Sequence, residues 1–135
     1  MKKIAVIILN WNGADLLRKF LPSVCAHTNA HIADVIVVDN GSDDNSVEVL
    51  KQEFPQVKTL LFPQNCGFAA GYNKALEMLD YKYAVLLNSD VETTPHWLEP
   101  LLEFAEDNPD VAACQPKIKS LRRREKFEYA GAAGG

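Results

Sequence analysis

The chain is poor in the features that would take it out of the ordinary globular class. Among its 135 residues there are three cysteines, Cys25, Cys66 and Cys114, none in a C-x-x-C pair. That spacing argues against a disulfide framework or a zinc site and for reduced thiols in a cytoplasmic protein. No apolar run approaches the roughly 20 residues that cross a bilayer. Residues 1–9 imitate a secretory start, but Asn10, Trp11 and Asn12 end the segment without a cleavage site. No G-x-G-x-x-G follows the first apolar run and no G-x-x-x-x-G-K-[ST] occurs, which disfavours a nicotinamide site and a P-loop. The net charge is −4, and no nucleic-acid partner is expected.

What is present is an alternation. Residues 4–9 form a continuous, largely β-branched apolar run, as in a strand covered on both faces. Leu16, Leu17, Phe20, Leu21, Val24 and Cys25 then recur at helical spacing, with Pro22 expected to kink or divide the helix. Residues 35–38 read as a second strand. A helix capped by Ser42 or Asp43 follows, burying Val47, Leu50 and Phe54. Residues 57–62 read as a third strand, before a helix burying Tyr72, Leu76 and Leu79. Residues 83–87 read as a fourth, buried strand. The next helix is expected to begin at Thr94 and Pro95, and residues 111–114 are expected to make a short fifth strand. This pattern predicts an α/β fold in three layers, with a mainly parallel sheet between helices. In such sheets ligands bind beyond the carboxyl ends of the strands.

Those ends carry short polar residues. Asn10-Trp11-Asn12-Gly13 follows the first strand, Asp39-Asn40-Gly41-Ser42 the second, Asn65-Cys66-Gly67-Phe68 the third and Asn88-Ser89-Asp90 the fourth. Each group alone is explained by turn and cap chemistry, but all of them on one rim predict a binding cleft. Trp11 offers an apolar face there, and Gly67 and Gly71 would permit close backbone approach. Asp90, beside the amide oxygen of Asn88, could hold Mg²⁺ or Mn²⁺ with positions left open for diphosphate oxygens. Asp39 could accept hydrogen bonds from a pyrimidine ring NH or from ribose hydroxyls.

The stretches "VIILNWNG", "VIVVDNGSDD", "NCGFAAGYNKAL" and "YAVLLNSDVETTPHWLEPL" together resemble the family 2 inverting glycosyltransferases of the GT-A fold. Their nearest likeness is to the rhamnosyltransferase-like bacterial branch that builds cell-surface polysaccharides. The resemblance runs over the whole chain. It implies that residues 1–135 are the nucleotide-sugar-binding part of such a domain, handling a UDP- or dTDP-linked sugar. By this likeness Asn10, Trp11, Asn12, Asp39, Asn40, Asn65, Gly67, Asn73 and Ser89 surround the nucleotide sugar. Asp90 and Asn88 stand at the metal-binding Asp-x-Asp position, where Asn88 in place of the first Asp should weaken metal affinity. The family continues into an acceptor-binding part, so the general base is expected beyond residue 135, and the acceptor is a saccharide or lipid-linked saccharide.

Other readings compete. A non-catalytic nucleotide-binding or assembly fragment would show the same rim. A phosphoacceptor domain would need an acidic pair after the first strand, where Asn-Trp-Asn stands instead. A sugar nucleotidyltransferase would need a Gly/Arg/Lys-rich loop at that place. Lys117, Lys119, Arg122, Arg123, Arg124 and Lys126 hold six of the 14 basic residues. They could give peripheral contact with the inner face of a membrane, although a solvated loop is the simpler explanation of them.

Overall fold

A computed structural model of the chain describes residues 2–108 and the backbone of two short strands beyond them. It divides into two compact units, residues 1–95 and 96–135. The first holds a four-stranded, all-parallel sheet in the order β3-β2-β1-β4. Its strands are β1 (Ile4–Asn10), β2 (Ala33–Asn40), β3 (Lys58–Phe62) and β4 (Tyr83–Leu87). Helices α1 (Ala14–His27), α2 (Ser46–Glu53) and α3 (Phe68–Met78) fill the crossovers. The expected α/β architecture is therefore present.

Strand alternation builds the two faces. Ala5 and Ile7 of β1 and Ile36 and Val38 of β2 point to one side. There they pack with Phe62 and with Tyr72 and Ala75 of α3. The alternate residues Ile4, Val6, Ile8 and Val37 are buried just as fully on the other side. Helices α1 and α2, which contact one another, supply Leu17, Phe20, Leu21, Val24, Val49 and Leu50 as the buried partners of that second layer. Fully burying one such side chain is worth about 1.5–3 kcal/mol, so this double layer is the main source of stability.

Several local expectations are corrected. Helix α1 runs unbroken through Pro22. The ring forfeits one hydrogen bond, but the buried stripe from Leu17 to Val24 holds the helix together. Helix α2 begins at Ser46, not after Ser42 or Asp43, because those residues are engaged in the loops described below. Val47 is only half-buried in it, while Ser46 and Val49 face inward. In α3 the buried stripe is Gly71, Tyr72 and Ala75, leaving Leu76 and Met78 exposed. Strand β4 is not buried: it is an edge of the described sheet, and Ala84 and Leu86 are exposed.

In the second unit, α4 (Glu99–Asp107) starts several residues later than Thr94. His96 has φ +60°, which a right-handed helix cannot include. Strands β5 (Ile118–Lys119) and β6 (Phe127–Glu128) pair antiparallel. The expected strand at residues 111–114 and most of the basic cluster lie outside the described residues.

Candidate functional site

The carboxyl ends of the strands meet two very different sets of loops. Between β1 and β2 the polar side chains bind one another. Asn10 and Asp39 are register partners at the strand tips, only 1% and 3% exposed. The Asn10 Nδ2 donates to Asp39 Oδ1 at 3.0 Å. The Ser42 hydroxyl donates to the same oxygen at 2.6 Å, and the Ser42 backbone N–H donates to Oδ2 at 3.1 Å. Asn12, at φ +50°, turns its side-chain oxygen to the N–H groups of Asp43 and Asp44, at 2.7 and 3.2 Å. Its own N–H donates to Ser42 Oγ at 2.9 Å. Asp44 completes the exchange, accepting from Ala14 N at 3.2 Å and from Ser46 N at 3.0 Å, as well as from the Ser46 hydroxyl. Burial would raise the Asp44 carboxyl, but these hydrogen bonds outweigh it and hold the group below its usual range.

A second knot joins β2 to the loop after β3. Asn40 Nδ2 donates to Asn65 Oδ1 at 3.2 Å and to the Gly67 carbonyl at 3.1 Å, while its Oδ1 accepts from Cys66 N at 3.1 Å. Gly41, at φ +76°, lies so close to this loop that a Cβ would stand 2.6 Å from Asn65 N and from the Gln64 carbonyl carbon. Only glycine satisfies both the dihedral and the contact.

Between β1 and β4 the rim is open. The chain reverses its winding here: β2 and β4 flank β1, and α1 and α3 leave towards opposite faces, the geometry of a topological switch point. A cleft of about 400 Å³ occupies it. Leu9 and Tyr72 form its inner wall, and the exposed Leu16, Trp11 and Phe68 stand at its lips, the last two 54% and 66% exposed. Asn40 and Asn65 line one side, and Asn88, Ser89 and Asp90 the other. Tyr72 OH donates to the Leu87 carbonyl at 3.1 Å, fixing the end of β4. Burial pushes that phenol up, so it remains a donor. Phe68 meets the Tyr72 ring edge-on, with centroids 4.9 Å apart.

Of the residues expected at the site, Trp11, Asn40, Asn65, Asn88, Ser89 and Asp90 are thus brought together. Asn10, Asn12 and Asp39 lie behind the cleft in the β1–β2 knot, and Gly67 carries the start of α3 at φ +88°. Asn73 is exposed on α3 and is not part of the lining. Phe68, Tyr72, Leu9 and Leu16 were not foreseen as lining residues. An exposed aromatic directly after the helix-opening Gly67 was the signal available for Phe68.

Among the described residues no hydrogen bond or ion pair engages the Asp90 carboxylate, and no three His, Cys, Asp or Glu side chains gather as a metal cage. One carboxylate flanked by neutral oxygens fits Mg²⁺ or Mn²⁺, which take ligands from a bound phosphate, and does not fit a closed zinc site.

The model of glycosyl transferase family 2 matches residues 5–130. The chain belongs to that family. Among its curated relatives is the uncharacterized glycosyltransferase YibD of Escherichia coli, 34% identical over 83% of this chain and 33% of its own length. Another is the N-acetylglucosaminyl-diphospho-decaprenol L-rhamnosyltransferase of Mycobacterium tuberculosis, 24% identical over 86% of this chain and 41% of its own. The family 2 chain thus spans well under half of these relatives. In fold it matches S. aureus TarS 1-349, solved in complex with UDP-GlcNAc, with a TM-score of 0.69 at 20% identity, covering 79% of this chain and 32% of that one. The GT-A architecture expected from the sequence is the one found. No helix among the described residues is long and apolar enough to cross a membrane.

Proposed function

We propose that this chain is the donor-binding part of an inverting glycosyltransferase, and that the β1–β4 cleft takes the nucleoside diphosphate of a UDP- or dTDP-linked sugar. The observation that carries this reading is the cleft itself. It lies at the switch point of a parallel sheet, with aromatic lips, amide side chains and one uncommitted carboxylate. Trp11 and Phe68 supply flat apolar surface for a base or sugar ring. Asn65 offers its amide N–H groups, with its oxygen held by Asn40 Nδ2 and Gly67 N, and the β1–β2 knot holds the loop that carries Trp11.

Asp90, with Asn88 and Ser89, would hold Mn²⁺ or Mg²⁺. When bound, such a cation offsets the negative charge that develops on the departing diphosphate. The reaction is an in-line displacement: an acceptor hydroxyl attacks the anomeric carbon, the bond from that carbon to the diphosphate oxygen breaks, and a general base takes the hydroxyl proton. Among the described residues Asp90 is the only carboxylate lining the cleft, so the base is proposed to come from the acceptor-binding part of the full-length protein. Rhamnosyl transfer in cell-surface polysaccharide synthesis, on the cytoplasmic side of the membrane, is the finer form of this reading. It draws on the relatives alone.

Calorimetric titration of UDP and dTDP into the chain, with and without Mn²⁺, tests the reading. Mn²⁺-dependent binding of either nucleotide is expected, and the better ligand identifies the base. Failure of both under all conditions would remove the cleft as a donor site. Sugar transfer by this chain alone would place the base within it and overturn the division of labour.

A further inference from the structure

The tip that carries Asn88, Ser89 and Asp90 has no regular secondary structure and lies beyond the last paired residue of β4, Leu87. A cation-holding carboxylate on a free loop would be poorly placed. Yet both ends of this loop are held, from opposite faces of the sheet. At the near end, Tyr72 of α3 bonds the Leu87 carbonyl. At the far end, Thr93 is buried, and both of its backbone groups are taken by α1. Its N–H donates to Ser23 Oγ at 3.1 Å, and its carbonyl accepts from His27 Nδ1 at 2.9 Å. A carbonyl can only accept, so Nδ1 carries the proton in this contact. The Ser23 hydroxyl in turn donates to the Phe20 carbonyl at 3.0 Å, which fixes its lone pairs towards Thr93.

We propose that His27 and Ser23, neither of which lines the cleft, are positioning residues for the Asp90 tip and act through the backbone of Thr93. The proposal rests on the donor-site reading for its functional consequence, but its structural core does not depend on any ligand. Residues 88–92 form a short span between two anchors. Removing one anchor lets Asp90 move while the sheet, α3 and the β1–β2 knot stay in place.

The test uses His27→Ala, Ser23→Ala and His27→Asn, the last because an asparagine amide can present N–H close to where Nδ1 does. Amide hydrogen exchange without ligand is read at residues 88–94 and, as a control, in β1 and β2. The first two variants should speed exchange in the loop alone, and His27→Asn should restore protection. UDP affinity is then measured with and without Mn²⁺. The gain from Mn²⁺ should fall about fivefold in His27→Ala, the worth of one lost hydrogen bond, with metal-free affinity unchanged. Unchanged loop exchange in both alanine variants would overturn the proposal, as would equal weakening of UDP with and without metal. Should His27→Ala expose β1 and β2 as well, Ser23→Ala carries the decision, since it keeps the imidazole contact. A wild-type chain with no Mn²⁺ gain would defeat the cation reading, and loop exchange would still decide whether α1 holds the tip.

Discussion

The two halves of the rim are built from the same kinds of residue and do opposite things. Between β1 and β2, Asn12, Asp39, Ser42, Asp44 and the Nδ2 of Asn10 are bonded to one another and to nearby backbone N–H groups, while the buried Asn10 Oδ1 has no partner among the described residues. Between β1 and β4, Asn88 and Asp90 face solvent across a cleft with aromatic lips. Short polar side chains at strand ends are therefore not a binding site by virtue of their type. What matters is whether the fold has already given them partners. The closed half should answer to mutation in stability, and the open half in ligand affinity.

Gly41 should give the largest effect. Gly41→Ala would force a Cβ into the backbone of the Gln64–Asn65 loop from a left-handed φ, costing about 3 kcal/mol or more. Chemical denaturation would read it, and a loss below about 1 kcal/mol would mean that the two loops separate easily. Asp39→Ala comes next. It leaves the buried Asn10 amide with only the long 3.4 Å contact to Ser42 Oγ and removes the acceptor of the half-buried Ser42 hydroxyl, for an expected loss of about 2 kcal/mol. A stable Asp39→Ala chain that fails to bind UDP would move Asp39 from the closed half to the open one.

Asp90→Ala should do the converse. The melting temperature should stay put, while Mn²⁺-dependent nucleotide affinity falls about a hundredfold. Retained metal dependence would take Asp90 out of the site. The smallest effect concerns the opposite end of the sheet, where Asp34 meets Lys2 Nζ at 2.8 Å, Lys58 Nζ at 3.1 Å and Tyr81 OH at 2.6 Å. Burial would raise its carboxyl, but Lys2, Tyr81 and Lys58 together bring it down to about 2. Its folded value thus lies below its unfolded one. The contribution is complete above about pH 4 and is lost as the pH falls towards 2, some 1 kcal/mol after allowance for screening of the exposed lysines. Asp34→Asn should flatten that part of the acid-unfolding curve without touching nucleotide binding.

Much of this comparison was hidden in the sequence. Apolar runs marked the bounds of β1 and β4 closely, because a short β-branched or apolar run is a local signal. The extension of β2 through Asp39 and Asn40 was not marked, since polar residues in a strand tip depend on partners distant in sequence, Asn10 and Asn65. Helix α3 was placed with Tyr72 and Leu79 correctly turned to the core, but Ala75, not Leu76, lies against the sheet between them, where a small side chain allows close approach to β1 and β2. The exposed edge of β4 reads as buried, because an apolar run does not say how many neighbours its strand has. At the site, the four rim segments were legible as turns and as a resemblance. Which of them would close on each other was not, because that is decided by strand order.

Asp44 has a wider consequence. Its carboxylate meets the first N–H groups of two helices at once, Ala14 of α1 and Ser46 of α2. In dinucleotide-binding folds the helix after the first strand turns its partially positive end to a pyrophosphate. Here that electrostatic berth is filled by an anion of the chain's own. A diphosphate arriving at this sheet would find the dipoles of α1 and α2 already neutralised, and its charge would need a counterweight elsewhere. The cation proposed at Asp90, on the far side of β1, would be one such counterweight.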